Sequence, residues 1–156
     1  MDSTDDTPPA ALRRLPSWLV NQTALVAQRL VNEKLAATDA RRYHFSVLSA
    51  LAEYGDMSQA DLGRHCHLDR SDIAAVVAEL AGRGHIAREP DPADRRRNIV
   101  TITPAGERFR TETGALVAEA QEELLAPLTT EEREGLAALL GRVVAHHAEL
   151  RGSGWS

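Results

Sequence analysis

Apolar residues recur at three- and four-residue intervals along most of the chain and alternate only in one short central region. This predicts a mainly helical protein with a small β element. A first long helix is expected from about Leu15 to Ala37, with Leu15, Leu19, Val26 and Leu30 on one stripe and Trp18 and Leu25 beside it. The preceding residues 1–14 lack periodicity and are expected to form a flexible arm. A second helix from about Ala40 carries Tyr43, Val47, Leu48, Leu51 and Tyr54 and stops at the turn pair Gly55-Asp56. Ser58, followed by Asp61, reads as the cap of a short helix that turns Leu62 inward and ends near His65.

The next segment carries a complete helix-start signature. Leu68 and Ile73 suit a hydrophobic staple, Asp69 an N-cap, and Asp72 a first-turn acid, so a helix should begin at Arg70. Ile73, Val76, Val77 and Leu80 give it a greasy face, while Arg70, Ser71, Ala74, Ala75 and Ala78 give the opposite face small and polar side chains. Gly82 and Gly84 end it, and His85 to Glu89 and Asn98 to Thr103 read as two strands. The connection from Pro90 to Arg97 is too long for a tight hairpin and should project into solvent. Thr103-Pro104 then restarts a helix carrying Phe109, Leu116, Val117, Ala120 and Leu124 until Pro127 breaks it. A last helix opens with the box Thr129…Glu132 and continues through Leu136, Leu139, Leu140, Val143, Val144, His147 and Leu150.

Two helices joined by a short turn and followed by a two-stranded ribbon with a basic tip form a winged helix-turn-helix. Each part has a physical task in DNA recognition. The helix from Arg70 can enter the major groove, where the small side chain of Ala74 permits close approach. The planar fork of Arg70 matches a guanine edge, and Ser71 can meet base or phosphate. Ser58 and Gln59, at the start of the preceding helix, suit a phosphate. Arg95, Arg96 and Arg97 at the wing tip suit the narrow minor groove, with Asp94 placed to orient an arginine fork.

Composition narrows the alternatives. At 156 residues and 43% hydrophobic the chain has the material for one domain with a real core, and its only cysteine, Cys66, excludes a disulfide scaffold. The net charge of −5 argues against a polyanion partner on average, yet Ser58 to Arg97 holds seven arginines and seven acids and is neutral. No apolar run approaches a membrane span and the N-terminus has no apolar signal core, so a cytoplasmic protein with no membrane partner is expected. Paired carboxylates, a Ser-His-Asp arrangement, a phosphate-cradling glycine loop and a zinc set are all missing from the pattern. The reading is therefore not an enzyme, with no cofactor and no metal.

The segment DPADRRRNIVTITPAG at 91–106, at this distance after LDRSDIAAVVAELAGRG, resembles the wing signature of the MarR family of bacterial transcription regulators. The likeness extends from about Leu15 to Leu150. It implies a recognition helix from Arg70 to Arg83, wing residues Asp94 and Arg96, and a homodimer on a pseudo-palindromic operator, usually as a repressor. It also implies an effector pocket between the dimer helices and the DNA-binding lobe, for which Trp18, Asn21, Gln22, Arg41 and His44 are the candidates here. Trp18 and His44 together suit a small aromatic or phenolic ligand. Residues 15–156 are then a single domain, with the winged lobe at about 40–103 and dimerisation helices at about 15–37 and 104–150. The apolar stripes of the first and last helices exceed what one small lobe can cover, which independently favours pairing of two copies. The alternatives are a winged-helix protein-interaction or architectural module, or a regulator responding to metal or redox through Cys66 and the neighbouring His65 and His67.

Overall fold

The computed structural model describes residues 6–153, with side chains described as far as Arg151. In chain order the elements are α1 (Ala10–Arg13), α2 (Pro16–Leu35), α3 (Arg42–Tyr54), β1 (Met57–Ser58), α4 (Gln59–His65), α5 (Arg70–Gly82), β2 (Ile86–Pro90), β3 (Asn98–Ile102), α6 (Pro104–Leu124) and α7 (Thr130–Ser153). The chain divides into two compact units, the residues up to Ala120 and those from Gln121 onward.

The first unit is built around the winged lobe. Its core is formed by Val47, Leu48 and Leu51 of α3, Leu62 of α4, Ile73, Val76, Val77 and Leu80 of α5, Ile86 of β2 and Val100 of β3. Burying each such side chain contributes about 1.5–3 kcal/mol, and the residues are those that the helical and strand periodicities set inward. Gly63 lets α4 and α5 meet, since a Cβ there would lie 3.2 Å from Cγ2 of Ile73.

The helix starts follow their caps. Ser58 Oγ accepts the Asp61 N–H at 3.1 Å, and Asp69 Oδ1 accepts the Asp72 N–H at 2.8 Å. Thr103 Oγ1 accepts the Gly106 N–H at 3.1 Å while donating to the Gly84 carbonyl at 2.7 Å, which ties the start of α6 to the turn before β2. In the second unit, Thr129 and Glu132 form the expected reciprocal box, at 3.2 and 2.9 Å.

Four features depart from the sequence expectation. The sheet has three strands rather than two, in the order β1-β3-β2. Met57 and Ser58 pair with Val100 and Ile99, and a two-residue strand is too short to display alternation. The arm is not wholly irregular, because Pro9 starts the short α1 at residues 10–13. Residues 1–5 of that arm lie outside the described residues. The second helix begins at Arg42, two residues late, because Arg41 is extended with φ −122° and ψ 157°. In α6 the polar Thr113 is fully buried, its hydroxyl donating to the carbonyls of Phe109 and Arg110.

Long apolar side chains remain in solvent on the long helices α2 and α7. On α2, Leu19, Val20, Leu25 and Val26 are exposed, as is Leu15 just before it. On α7, Leu139, Leu140, Val143, Val144 and Leu150 are exposed. Among the described residues no helix is long and apolar enough to cross a membrane.

Candidate nucleic-acid interface

Three structural elements bring five of the nine proposed contact residues, Ser58, Gln59, Arg70, Arg96 and Arg97, to one cleft, which Ser71, Ala74, Asp94 and Arg95 do not line. The start of α4, the first turn of α5 and the wing border a cleft of about 560 Å³ lined by Ser58, Gln59, Arg64, Arg70, Arg96 and Arg97, among others. Residues that lie far apart along the chain thus converge on one concavity.

On α5, Arg70, Ser71, Ala75 and Ala78 are exposed and Ala74 is partly so, while Ile73, Val76, Val77 and Leu80 are buried. The outward face is low and polar, as close approach to a groove floor requires. Ser71 Oγ donates to Asp69 Oδ1 at 2.9 Å, so in the free protein this hydroxyl is committed to the cap. That bond and, more strongly, the Asp72 N–H hold the Asp69 carboxyl below the usual carboxylate range.

The wing projects. Residues 92–98 are all exposed, and the loop is shaped by its own backbone: Asp91 N–H donates to the Arg97 carbonyl at 2.8 Å and Arg97 N–H to the Asp94 carbonyl at 2.9 Å. Asp94 does not engage an arginine fork as expected. Its Oδ1 accepts the Arg96 backbone N–H at 3.0 Å, because an aspartate two residues back closes a local turn more readily than it reaches a mobile guanidinium. This bond fixes the tip on which Arg95 and Arg96 stand, and neither guanidinium has an ion-pair partner among the described residues.

Arg97 is anchored differently, through a residue the sequence reading treated only as a cap acid. Asp61 accepts the Ser58 hydroxyl at 2.7 Å, pairs with Arg64, and faces Arg97 across the cleft at 3.7 Å. The Ser58 hydroxyl foremost, then the two guanidinia, hold its carboxyl below the ordinary range. Asp61 and Arg97 belong to different elements, and no local pattern links them.

The candidate effector residues divide into two groups. Asn21 and Gln22 are exposed on α2 and Trp18 is half-buried there. Arg41 and His44 meet at the start of α3, where both reach Glu79 of α5, at 3.4 and 2.8 Å. His44 is completely buried and both of its ring nitrogens are engaged within the chain, Nδ1 by the Arg41 N–H at 3.1 Å and Nε2 by Glu79. Burial foremost pushes its pKa down, against the pull of the Glu79 hydrogen bond.

Cys66 is half-buried against the core, and burial pushes its thiol up rather than activating it. His65, one of the two histidines expected to sensitise it, stacks on Tyr54 at 4.5 Å. No cluster of three metal-ligating side chains occurs among the described residues.

Comparison with known proteins locates this arrangement. A model of the MarR family matches residues 38–97, the span that carries α3 to the wing tip. The chain is 30% identical to the transcriptional regulator HosA of Escherichia coli over 96 residues, 62% of this chain and 71% of that protein. The chain belongs to the MarR family. A putative transcriptional regulatory protein for the hcr operon of Thauera aromatica is 31% identical over 105 residues, 67% of this chain but just 63% of that protein. Among solved MarR-type structures, the PcaV regulator of Streptomyces coelicolor in complex with its natural ligand matches with TM-score 0.76 and 29% identity, covering 89% of this chain and 98% of that one. A MarR variant from E. coli complexed with operator DNA matches with TM-score 0.74 and 25% identity, over 87% and 99%. The winged helix of this chain is thus the DNA-binding winged helix of a MarR-type transcriptional regulator, and its relatives are regulators rather than enzymes.

Proposed function

We propose that the protein is a cytoplasmic homodimeric repressor that binds a pseudo-palindromic operator and is released by a small aromatic or phenolic ligand. The observation that carries the DNA-binding half is the single cleft shared by the start of α4, the first turn of α5 and the wing. Arg70 reads a guanine edge in the major groove, with Ser71 and Ala74 beside it, while Gln59 and the backbone amides beside Ser58, whose own hydroxyl is buried and held by Asp61, grip a phosphate at the start of α4. Arg96 and Arg95 enter the minor groove on a tip set by Asp94, and Arg97 binds backbone at the wing base.

Pairing of two copies is supported by the apolar side chains left in solvent on α2 and α7, which a second copy would cover. A two-fold dimer sets recognition helices about 34–36 Å apart, one turn of duplex, and so calls for a palindromic site. In this reading residues 15–156 act as one domain with a winged lobe at about 40–103. The ligand half rests on the likeness to PcaV with its natural ligand and on Trp18, Asn21, Gln22 and Arg41 as the residues available for such a molecule, while His44, buried with both ring nitrogens engaged, would serve only as fixed support behind Arg41.

The test is fluorescence anisotropy with DNA from upstream of the protein's own gene, at fixed salt, using the wild type, Arg70→Ala and Arg96→Ala. Each substitution should weaken specific binding by about 1–3 kcal/mol. Unchanged sequence-specific affinity in both variants would overturn the assignment. Tight binding of an acidic protein with none of duplex would favour the protein-interaction alternative.

A further inference from the structure

The recognition helix α5 is held by two kinds of force. Ile73, Val76, Val77 and Leu80 seat one side of it in the core, which sets its depth. At the far end from the bases it is also tied by polar contacts. There Glu79 Oε2 accepts the Nε2–H of His44 at 2.8 Å, Glu79 Oε1 faces the Arg41 guanidinium at 3.4 Å, and Arg83 Nη1 donates to the Asp39 carbonyl at 2.6 Å.

These contacts differ in strength. The Arg41 side chain is 72% exposed, so its pair with Glu79 is screened and contributes little. The His44 side chain is 1% exposed and that of Glu79 34%, so water can reach the carboxylate but not the histidine, whose Nε2–H is left unsatisfied if the bond is lost. His44 is itself fixed: its Nδ1 is occupied by the Arg41 N–H, which leaves the ring proton on Nε2 for Glu79. The buried histidine is thus a rigid donor built into the start of α3, and Glu79 is the single residue of α5 that it grips.

We propose that Glu79 is a positioning residue for DNA reading, orienting α5 through His44 and Arg41 without touching the duplex. The proposal rests on the reading that α5 enters the major groove. Nine residues separate Glu79 from Arg70, about 13 Å of helix rise, so a tilt of about 5° pivoting at Glu79 displaces Arg70 by about 1 Å. Base-edge hydrogen bonds do not tolerate that displacement, since productive geometry holds within about 0.5 Å. Phosphate contacts made by mobile arginines do tolerate it, because they are electrostatic and adjustable. Glu79 therefore governs specific binding and leaves non-specific binding almost untouched.

The experiment compares wild type, Glu79→Ala and Glu79→Gln on two duplexes of equal length at one salt concentration. One duplex is enriched by the wild-type protein from a random library and the other is its scrambled counterpart. Glu79→Ala should weaken binding to the enriched duplex about tenfold or more and to the scrambled duplex less than twofold, with the helical circular dichroism signal retained. Glu79→Gln, which keeps an acceptor for His44 but loses the charge, should recover a large part of the loss. Arg41→Ala, a change on the solvent side, should shift the ratio of the two affinities in the same direction by less, and it carries the test if Glu79→Ala does not fold. Equal losses on both duplexes, identical behaviour of the Ala and Gln variants, or an unchanged ratio would each overturn the proposal. Failure of the wild type to enrich any sequence would overturn the reading on which it rests.

Discussion

The carbonyl oxygen of His85 lies so close to Gly106 that a Cβ on the glycine would sit 2.0 Å from it. This is a contact between two backbones, the approach to β2 and the first turn of α6, and Thr103 reinforces it by bonding to both Gly84 and Gly106. No rotamer change can relieve such a clash.

Gly106→Ala should therefore destabilise the winged lobe by about 2–3 kcal/mol, the upper part of the roughly 1–3 kcal/mol that overpacking costs, because here a backbone must move. For a chain of this size that corresponds to a fall of roughly 5–10 °C in Tm. Differential scanning calorimetry checks it. A Tm within 2 °C of wild type would show that α6 is not clamped to the β2 approach.

Stability should also fall as the solution is acidified from pH 7.5 toward 5. Burial, foremost, lowers the pKa of both His44 and His85 from the ordinary 6.5. A histidine whose folded pKa is depressed takes up more protons when unfolded, so the native state is favoured above 6.5 and loses that advantage as pH drops toward the folded value. Glu79, held below 4.5 chiefly by its bond from His44, extends the loss at lower pH in the same direction. Urea midpoints at pH 7.5, 6.0 and 5.0 should decline in that order, and His44→Gln should flatten the decline. A midpoint that rises on acidification would contradict the buried, neutral state of His44.

The winged lobe was legible in the chain because its signals are local. The caps Ser58, Asp69 and Thr103 and the stripe Ile73, Val76, Val77 and Leu80 each act within one or two helical turns, and each element begins or faces as they dictate. What escaped the sequence reading is non-local. The bond from His44 to Glu79 spans 35 positions and the pair Asp61 with Arg97 joins a helix to the wing, and no spacing rule encodes either. Asp94 departs from the sequence expectation for the opposite reason, since a nearer backbone N–H outcompetes the arginine side chain for its carboxylate.

The capping aspartate of the recognition helix gives a further prediction. Asp69 satisfies the Asp72 N–H and receives the Ser71 hydroxyl, so Asp69→Ala leaves the first turn without its acceptor. The expected loss is about 1 kcal/mol of stability, because N-cap removal costs roughly 0.5–2 kcal/mol. DNA affinity should fall by more than this shift explains, since the turn that frays is the one bearing Arg70 and Ser71. Thermal melts set beside anisotropy titrations separate the two effects, and an unchanged affinity would mean that the first turn is ordered by the DNA itself.

Val143 on α7 tests the pairing of two copies. Val143 is 57% exposed in the single chain, so Val143→Glu introduces a charge that meets only water unless another protomer covers it. Glutamate is also an adequate helix former, and the isolated chain should keep its helicity. In a dimer the same charge would be buried without a partner, which costs several kcal/mol and should shift the species at micromolar concentration from dimer to monomer. A monomer holds one recognition helix and loses the effective concentration that the second half-site provides, so affinity for a palindromic duplex should drop about 100-fold or more. Light scattering coupled to size exclusion, run beside the DNA titration, decides it: an unaltered dimer mass in the variant would remove α7 from the interface.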